Sequence, residues 1–345
     1  MIVRSEMKAL SYQDVYLVPA YSELHTRESV DLSVSFLGRI LRAPWCPANM
    51  SSVVNVDICK WLSESSYPYV MHRFGDTREF VEQSNRENWK LISISVGVRE
   101  ADKNLIKWIV SERYRVDWIT IDVAHSHSIL TKEMISFIRT LYKTTSLAYP
   151  KIIAGNVATP EGVRDLTQWG ADAAKVGIGG GAACSTKTQT GFHVPMFTCV
   201  QSCFEYGGSY TSPSIPIISD GGIRDNGDIA KALVARAQIV MAGSLFAACI
   251  NAPGENVRAH RYLVTGEPEA GLNPNPITHK RYHGSSSEHQ KGSKRHIEGF
   301  QIDIPCNGMT YAEKYQELTE SLSSAVSYAG GTNLSAFKST SYITI

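Results

Sequence analysis

The sequence does not space its cysteines as a metal site or a disulfide framework would. The seven cysteines stand at 46, 59, 184, 199, 203, 249 and 306, an odd number with no Cys-x-x-Cys pair. No Cys/His cluster has zinc spacing either. Reduced thiols in a cytosolic protein are the economical reading. No stretch approaches the ~20 apolar residues of a membrane span. The first residues, Met-Ile-Val-Arg-Ser-Glu-Met-Lys, carry no apolar signal core. Excess charge is also missing: the formal net charge is +1. That argues against nucleic acid or an anionic membrane as the main partner and leaves room for compact anionic ligands. There is no low-complexity tract and no internal repeat beyond a strand–helix unit.

What is present is 345 residues, 43% of them hydrophobic, enough for one large core. Eight short β-rich runs stand out: Pro44–Asn49, Tyr67–His72, Leu91–Val96, Trp118–Val123, Ile152–Asn156, Ala174–Gly177, Pro216–Asp220 and Ile239–Gly243. Several are apolar almost throughout, as strands covered on both faces are. Segments of helical period lie between them: Val56–Glu64, Ala101–Tyr114, Ile129–Lys143, Pro160–Trp169 and Gly227–Ala235. Thr159-Pro160 reads as a helix start, a capping residue followed by proline at the first position. Eight alternations predict an α/β fold, a closed (β/α)8 barrel, with a doubly wound open sheet as the runner-up. The expected organisation is one catalytic domain over residues 1–345, with the barrel at about 40–255. Residues 266–300 are irregular and rich in Gly, Pro, Ser, His and Lys, as lids are. A helix over 311–329 and a short strand at Ser341–Ile345 complete a C-terminal segment.

Polar and glycine residues at the carboxyl ends of barrel strands are where such folds keep their active sites. The most informative is the loop Lys175-Val-Gly-Ile-Gly-Gly-Gly-Ala-Ala-Cys184-Ser-Thr186. Glycines let a ligand approach the main chain, and the loop presents a thiol two residues before a threonine. The next two strands end in Ser219-Asp220-Gly221-Gly222 and Met241-Ala-Gly243-Ser244. Loops on strands seven and eight form the common phosphate site of barrels, and the glycine amides there are read as free to face an oxyanion, with Asp220 accepting from a sugar hydroxyl. Asp122 with His125 and His127 is a weak metal pattern, and hydrogen bonding to ligand hydroxyls fits it better. The 177–181 loop lacks the spacing of a dinucleotide or P-loop fingerprint. His193 and the tract His279–His296 read as solvated. A thiol beside a sugar-phosphate site points to covalent catalysis at an electrophilic carbon.

Together these segments resemble the IMP dehydrogenase/GMP reductase family over nearly the whole chain. The matching motifs are Ala48-Asn-Met-Ser-Ser-Val53, Ile121-Asp-Val-Ala-His-Ser-His127, Ala154-Gly-Asn-Val157, Lys175–Thr186, Ser219–Gly222 and Tyr282-His-Gly-Ser-Ser-Ser287. Met71-His-Arg-Phe74, Tyr328-Ala-Gly-Gly331 and Gly284–Gly292 resemble the bacterial reductase branch, and two features separate that branch from the dehydrogenases. The chain leaves no room for the regulatory domain that dehydrogenases insert. Its lid also reads Arg295-His-Ile-Glu298-Gly299, where dehydrogenases use an Arg-Tyr pair.

The resemblance implies that Cys184 attacks C2 of GMP and that Thr186 and Glu298 relay a proton to the departing amino group. Ammonia leaves, hydride from NADPH reaches C2 of the thioimidate on Cys184, and IMP is released. It implies ribose binding by Asp220, and phosphate binding by Gly221, Gly222, Gly243, Ser244, Gly284, Ser285 and Ser286. Arg295 and Gly299 would lie near the base. It implies NADPH contacts from Thr26, Arg27, Arg73, Asp122, Val123, Ala124 and Ile178, with Ser324 and Ser327 supplied by a neighbouring subunit. The carbonyls of Gly179 and Gly181 would hold K+, and the assembly would be a cytoplasmic homotetramer in purine nucleotide salvage. A dehydrogenase without its regulatory domain and a nucleotide-binding protein on a decayed scaffold are the alternatives. Relative to the family pattern, Gly180 replaces a proline, Ala182 a Ser or Lys, and Cys249 a His. The 192–197 loop departs from the usual glycine-rich one.

Overall fold

The computed structural model describes residues 8–208, 215–258, 276–284, 287 and 298–345. Seven parallel strands form one curled sheet: β1 (Trp45–Pro47), β2 (Ser93–Val96), β3 (Trp118–Asp122), β4 (Lys151–Val157), β5 (Ala173–Val176), β6 (Ile217–Asp220) and β7 (Ile239–Ala242). Their order is β1-β7-β6-β5-β4-β3-β2, so the first strand pairs with the last. The sheet is a (β/α)8-type arrangement in which residues 67–72 take the remaining place. They do so through a single parallel bridge, Met71 to Ile94, rather than as a regular strand. On the other side the Cys46 thiol meets the Val70 backbone. Most strand residues are buried on both faces, which explains their near-continuous Ile, Val and Ala.

The helices start where capping chemistry directs. Asn55 accepts from Ile58 N before α1 (Val56–Glu64), and Ser128 from Thr131 N before the helix Ile129–Lys143. Thr159 caps Pro160–Trp169, and Asp225 caps Asn226–Val234. Two helices have weaker sequence signals and escape the periodicity reading. Thr77–Arg86 buries only Phe80, Val81 and Ser84. Met196–Tyr206 is rich in Cys, Thr and aromatic residues of modest helix propensity.

One end of the barrel is plugged. A hairpin, Val34–Phe36 with Arg39–Leu41, lies across the amino ends of the strands. Phe36 packs edge-on to Trp118 at 5.5 Å, and Arg39 pairs with Asp117 at 2.7 Å. The carboxyl ends stay open, which leaves that face for ligands. Above it stand three antiparallel strands, Asn256–Arg258, Ile277–His283 and Gln301–Pro305. Regular pairing therefore replaces part of the irregular stretch expected from composition. The long helix Tyr311–Tyr328 opens with a Thr310/Glu313 capping box and packs on Asn226–Val234. The chain ends in a strand, Tyr342–Thr344, paired with Val15–Leu17. Among the described residues, no helix is long and apolar enough to cross a membrane.

Candidate active site

A cavity of about 530 Å³ opens at the carboxyl ends of the strands. The β5 loop enters it tightly. Gly177 has φ +137°, and a Cβ there would sit 2.2 Å from the Asp220 carbonyl. No side chain fits, so the loop turns against the end of β6. Cys184 follows, half-buried, and Thr186 opens a short helix, Thr186–Thr190.

Residues 298–300, which lead into the strand Gln301–Pro305, complete this corner. Gly299 bridges Cys184 in antiparallel fashion, Ser185 N donates to Glu298 O at 2.9 Å, and Phe300 N donates to Ala183 O at 3.1 Å. Backbone pairing thereby delivers Glu298 to the thiol loop across 112 residues of sequence. The Cys184 thiol donates to Thr186 Oγ1 at 3.2 Å, and Thr186 Oγ1 donates to Glu298 Oε2 at 2.9 Å. This is a thiol with a two-step hydrogen-bonded path to a carboxylate, an arrangement that can support nucleophilic and general acid–base chemistry.

Asp220 and Asp122 lie on the cavity floor at the ends of β6 and β3. Between them stands Lys175 on β5, 3% exposed, with Nζ at 2.7 Å from Asp220 Oδ2 and 2.8 Å from Asp122 Oδ1. Burial alone would lower the Lys175 pKa, but the two carboxylates outweigh it and raise it. Burial likewise opposes ionisation of Asp122, and Lys175 reverses the balance and holds its carboxyl below the ordinary value. Asn156 Nδ2 donates to Asp220 Oδ2 at 2.9 Å and to Gly177 O at 2.6 Å, tying β4 to both loops. Asn156 stands out in the sequence as a polar strand end, but neither it nor Lys175 is given a role there. A lysine inside an apolar run was the available signal, since such residues are seldom buried unless paired.

Most residues expected at a site converge on this cavity. Gly221, Gly222, Gly243, Ser244 and Gly284 line one side of it, and Arg73, Val123, Ala124, Ile178, Gly179 and Gly181 line the other. Gly299 joins through its bridge to Cys184. One detail corrects the sequence reading: the Gly222 N–H is not free for an anion, because it donates to Gly180 O at 2.9 Å. The loops needed that bond to pack. His193 is a second correction. It is part-buried, and its Nδ1–H donates to Ile178 O at 2.7 Å, which braces the glycine loop. His283, also read as solvated, is buried with its Nε2 3.0 Å from Ser51 Oγ.

Thr26, Arg27, Ser324 and Ser327 do not line the cavity. Arg27 donates to Ser324 Oγ at 3.1 Å and lies over the Tyr328 ring, so this group forms a separate exposed cluster. Ser285, Ser286 and Arg295 lie outside the described residues.

A family model described as IMP dehydrogenase / GMP reductase domain matches residues 9–345. Similar proteins named GMP reductase include that of Mesoplasma florum, 40% identical over 98% of this chain and 98% of its own length. That of Lactobacillus gasseri is 39% identical over 98% and 96%. That of Variovorax paradoxus is 38% identical over 98% and 97%.

Proposed function

The chain belongs to the IMP dehydrogenase / GMP reductase family, and from that premise we propose that it is a GMP reductase, which converts GMP to IMP and ammonia with a reduced nicotinamide cofactor. The observation that carries the reading is the path Cys184–Thr186–Glu298. The lid supplies a carboxylate at the position where a dehydrogenase would need a base for water. The full-length relatives named as reductases support the same branch.

The chemistry follows from the groups present. The Cys184 proton passes to Thr186 and on to Glu298, and the thiolate adds to C2 of the guanine ring. Glu298 returns a proton through Thr186 to the exocyclic nitrogen, the C2–N bond breaks, and ammonia departs. A thioimidate to Cys184 remains. Bound NADPH supplies the hydride that reduces it. The C2–S bond then breaks and IMP leaves.

Asp220 accepts from the ribose hydroxyls of the nucleotide. The Gly221, Gly243, Ser244 and Gly284 side of the cavity receives the phosphate, with Ser285, Ser286 and Arg295 assigned to the same nucleotide. The cofactor residues fit a dinucleotide. Arg73 has no hydrogen-bonded carboxylate partner among the described residues and stands exposed at the rim as an open cation for phosphate. Asp122 is a fixed acceptor for a ribose hydroxyl, flanked by Val123, Ala124 and Ile178.

The sequence reading gives Thr26 and Arg27 to this chain's own cofactor and Ser324 and Ser327 to that of an adjacent subunit; because Arg27 donates to Ser324 away from the cavity, all four would serve the cofactor of an adjacent subunit in a homotetramer. For the K+ assigned to Gly179 and Gly181, the Gly181 carbonyl already accepts from Cys184 N at 3.1 Å, which ties that site to the nucleophile loop. A reactive thiol of this kind suits a reducing, cytoplasmic setting.

The deciding experiment monitors nicotinamide absorbance in two mixtures. Oxidation of NADPH with GMP is the expected result. Reduction of NAD+ with IMP and no reaction with GMP would favour a dehydrogenase and overturn the proposal.

A further inference from the structure

We propose that Lys175 is a positioning residue that holds the nucleotide carboxylate Asp220 and the cofactor carboxylate Asp122 on one buried ammonium, so that the two ligand subsites are built as a unit. The inference rests on the reading of this cavity as a GMP and NADPH site.

The geometry is specific. Lys175 occupies a strand position where its neighbours are Ala173, Ala174 and Val176. Its stem lies across Gly155 of the adjacent strand, where a Cβ would fall 2.4 Å from Lys175 Cβ. Room for the side chain is thus made by the absence of one next door. Each carboxylate commits a single oxygen to Nζ, at 2.7 and 2.8 Å. The other oxygen of each is the one a ribose hydroxyl would meet. Asn156 braces Asp220 from β4, but no second lysine or arginine is hydrogen-bonded to either carboxylate among the described residues.

Lys175 is the buried cation of this pair; the neutral side chain of Asn49 also favours the charged form of Asp122. Arg73 faces Asp122 from the exposed rim. Cys46 and Tyr282 face Asp220, and burial raises both, so neither adds charge. Cys184 also faces Tyr282. Removing the ammonium therefore leaves two carboxylates sharing one buried region. Like charges so placed cannot both stay ionised easily, and one takes up a proton at a higher pH than usual.

The test measures dissociation constants of GMP and of NADPH separately, by calorimetry, for wild type, Lys175→Met and Lys175→Met/Asp122→Asn. Circular dichroism confirms folding of each. Lys175→Met is expected to weaken both ligands by at least about tenfold, since it removes a charge-assisted pair. Relative to wild type at the same pH, its GMP affinity is expected to vary more than about fivefold between roughly pH 6 and 8.5.

The double variant has one carboxylate fewer but still lacks the pair to Asp220, so its GMP affinity relative to wild type should stop varying with pH while GMP and NADPH both stay at least about tenfold weaker. If Lys175→Met does not fold, the double variant alone carries the test through its weak, pH-constant GMP binding. Weakening of one ligand only in Lys175→Met, or a folded double variant that binds GMP within about threefold of wild type, overturns the inference. A wild type that binds neither GMP nor NADPH overturns the reading of the cavity instead.

Discussion

Replacing Glu298 by Gln tests the proton path without changing its shape. The Gln amide oxygen can still accept from Thr186, so the 2.9 Å contact and the backbone bridge to the Cys184 strand survive. What disappears is the capacity to take and return a proton. A positioned acid–base group contributes roughly a hundred- to ten-thousand-fold, or about 3–5 kcal/mol of barrier. The loss should fall on the deamination half of the reaction, where a proton must reach the departing amino group. Hydride transfer, run backwards from IMP and NADP+ as a burst of reduced nicotinamide, calls on Glu298 only for the Cys184 proton, whereas deamination calls on it a second time at the amino group. Single-turnover ammonia release from GMP is therefore expected to slow within that range, the burst to slow less than about tenfold, and GMP affinity to hold within about twofold. Equal loss in both half-reactions would refute a dedicated proton role for Glu298, and so would full deamination.

Cys184→Ala should abolish turnover while GMP still binds, because the thiol forms the bond and contributes little ground-state contact; calorimetry and the NADPH assay separate the two. Gly177→Ala should lower urea stability by roughly 1–3 kcal/mol, since its Cβ would meet the Asp220 carbonyl, and GMP affinity should fall with it. Glu87 accepts from Trp89, Lys60 and Gln83, which hold its carboxyl down at about 2. Its contribution to stability is thus full above the ordinary carboxylate value and is lost as pH falls toward about 2. Glu87→Gln should melt earlier than wild type at pH near 6, and the gap should close in acid; a gap that persists below that window contradicts the pairing.

The parts legible in the sequence are those whose signal is local. Strands buried on both faces announce themselves as apolar runs, and Thr159-Pro160 fixes a helix start to the residue. Cys184 and Thr186 sit two residues apart in one loop, so their partnership is visible in the chain itself. Glu298 is different. It comes to Thr186 only through the pairing of residues 298–300 with the thiol loop, and only resemblance to a family pointed to it. Lys175 was illegible for the opposite reason. Its partners Asp122 and Asp220 end two other strands, and the register of the curled sheet is what aims all three at one point.

Two of the departures from the family pattern, Gly180 and the 192–197 segment, have a joint physical reason that neither position reveals alone. Met196, contributed by the unusual 192–197 segment, lies over the glycine loop. A Cβ on Gly180 would be 3.2 Å from Met196 Cγ, one on Gly177 2.9 Å from its sulfur, and one on Gly222 2.8 Å from its Cγ. The space a proline ring would need at position 180 is therefore partly filled from the facing helix. Gly180 also gives its carbonyl to Gly222, a hydrogen bond between the two ligand loops that restrains the freer glycine backbone. His193, three residues before Met196, braces the same loop through Ile178. Two departures that look independent in the sequence are one packing solution, and it leaves the Cys184–Thr186–Glu298 path intact.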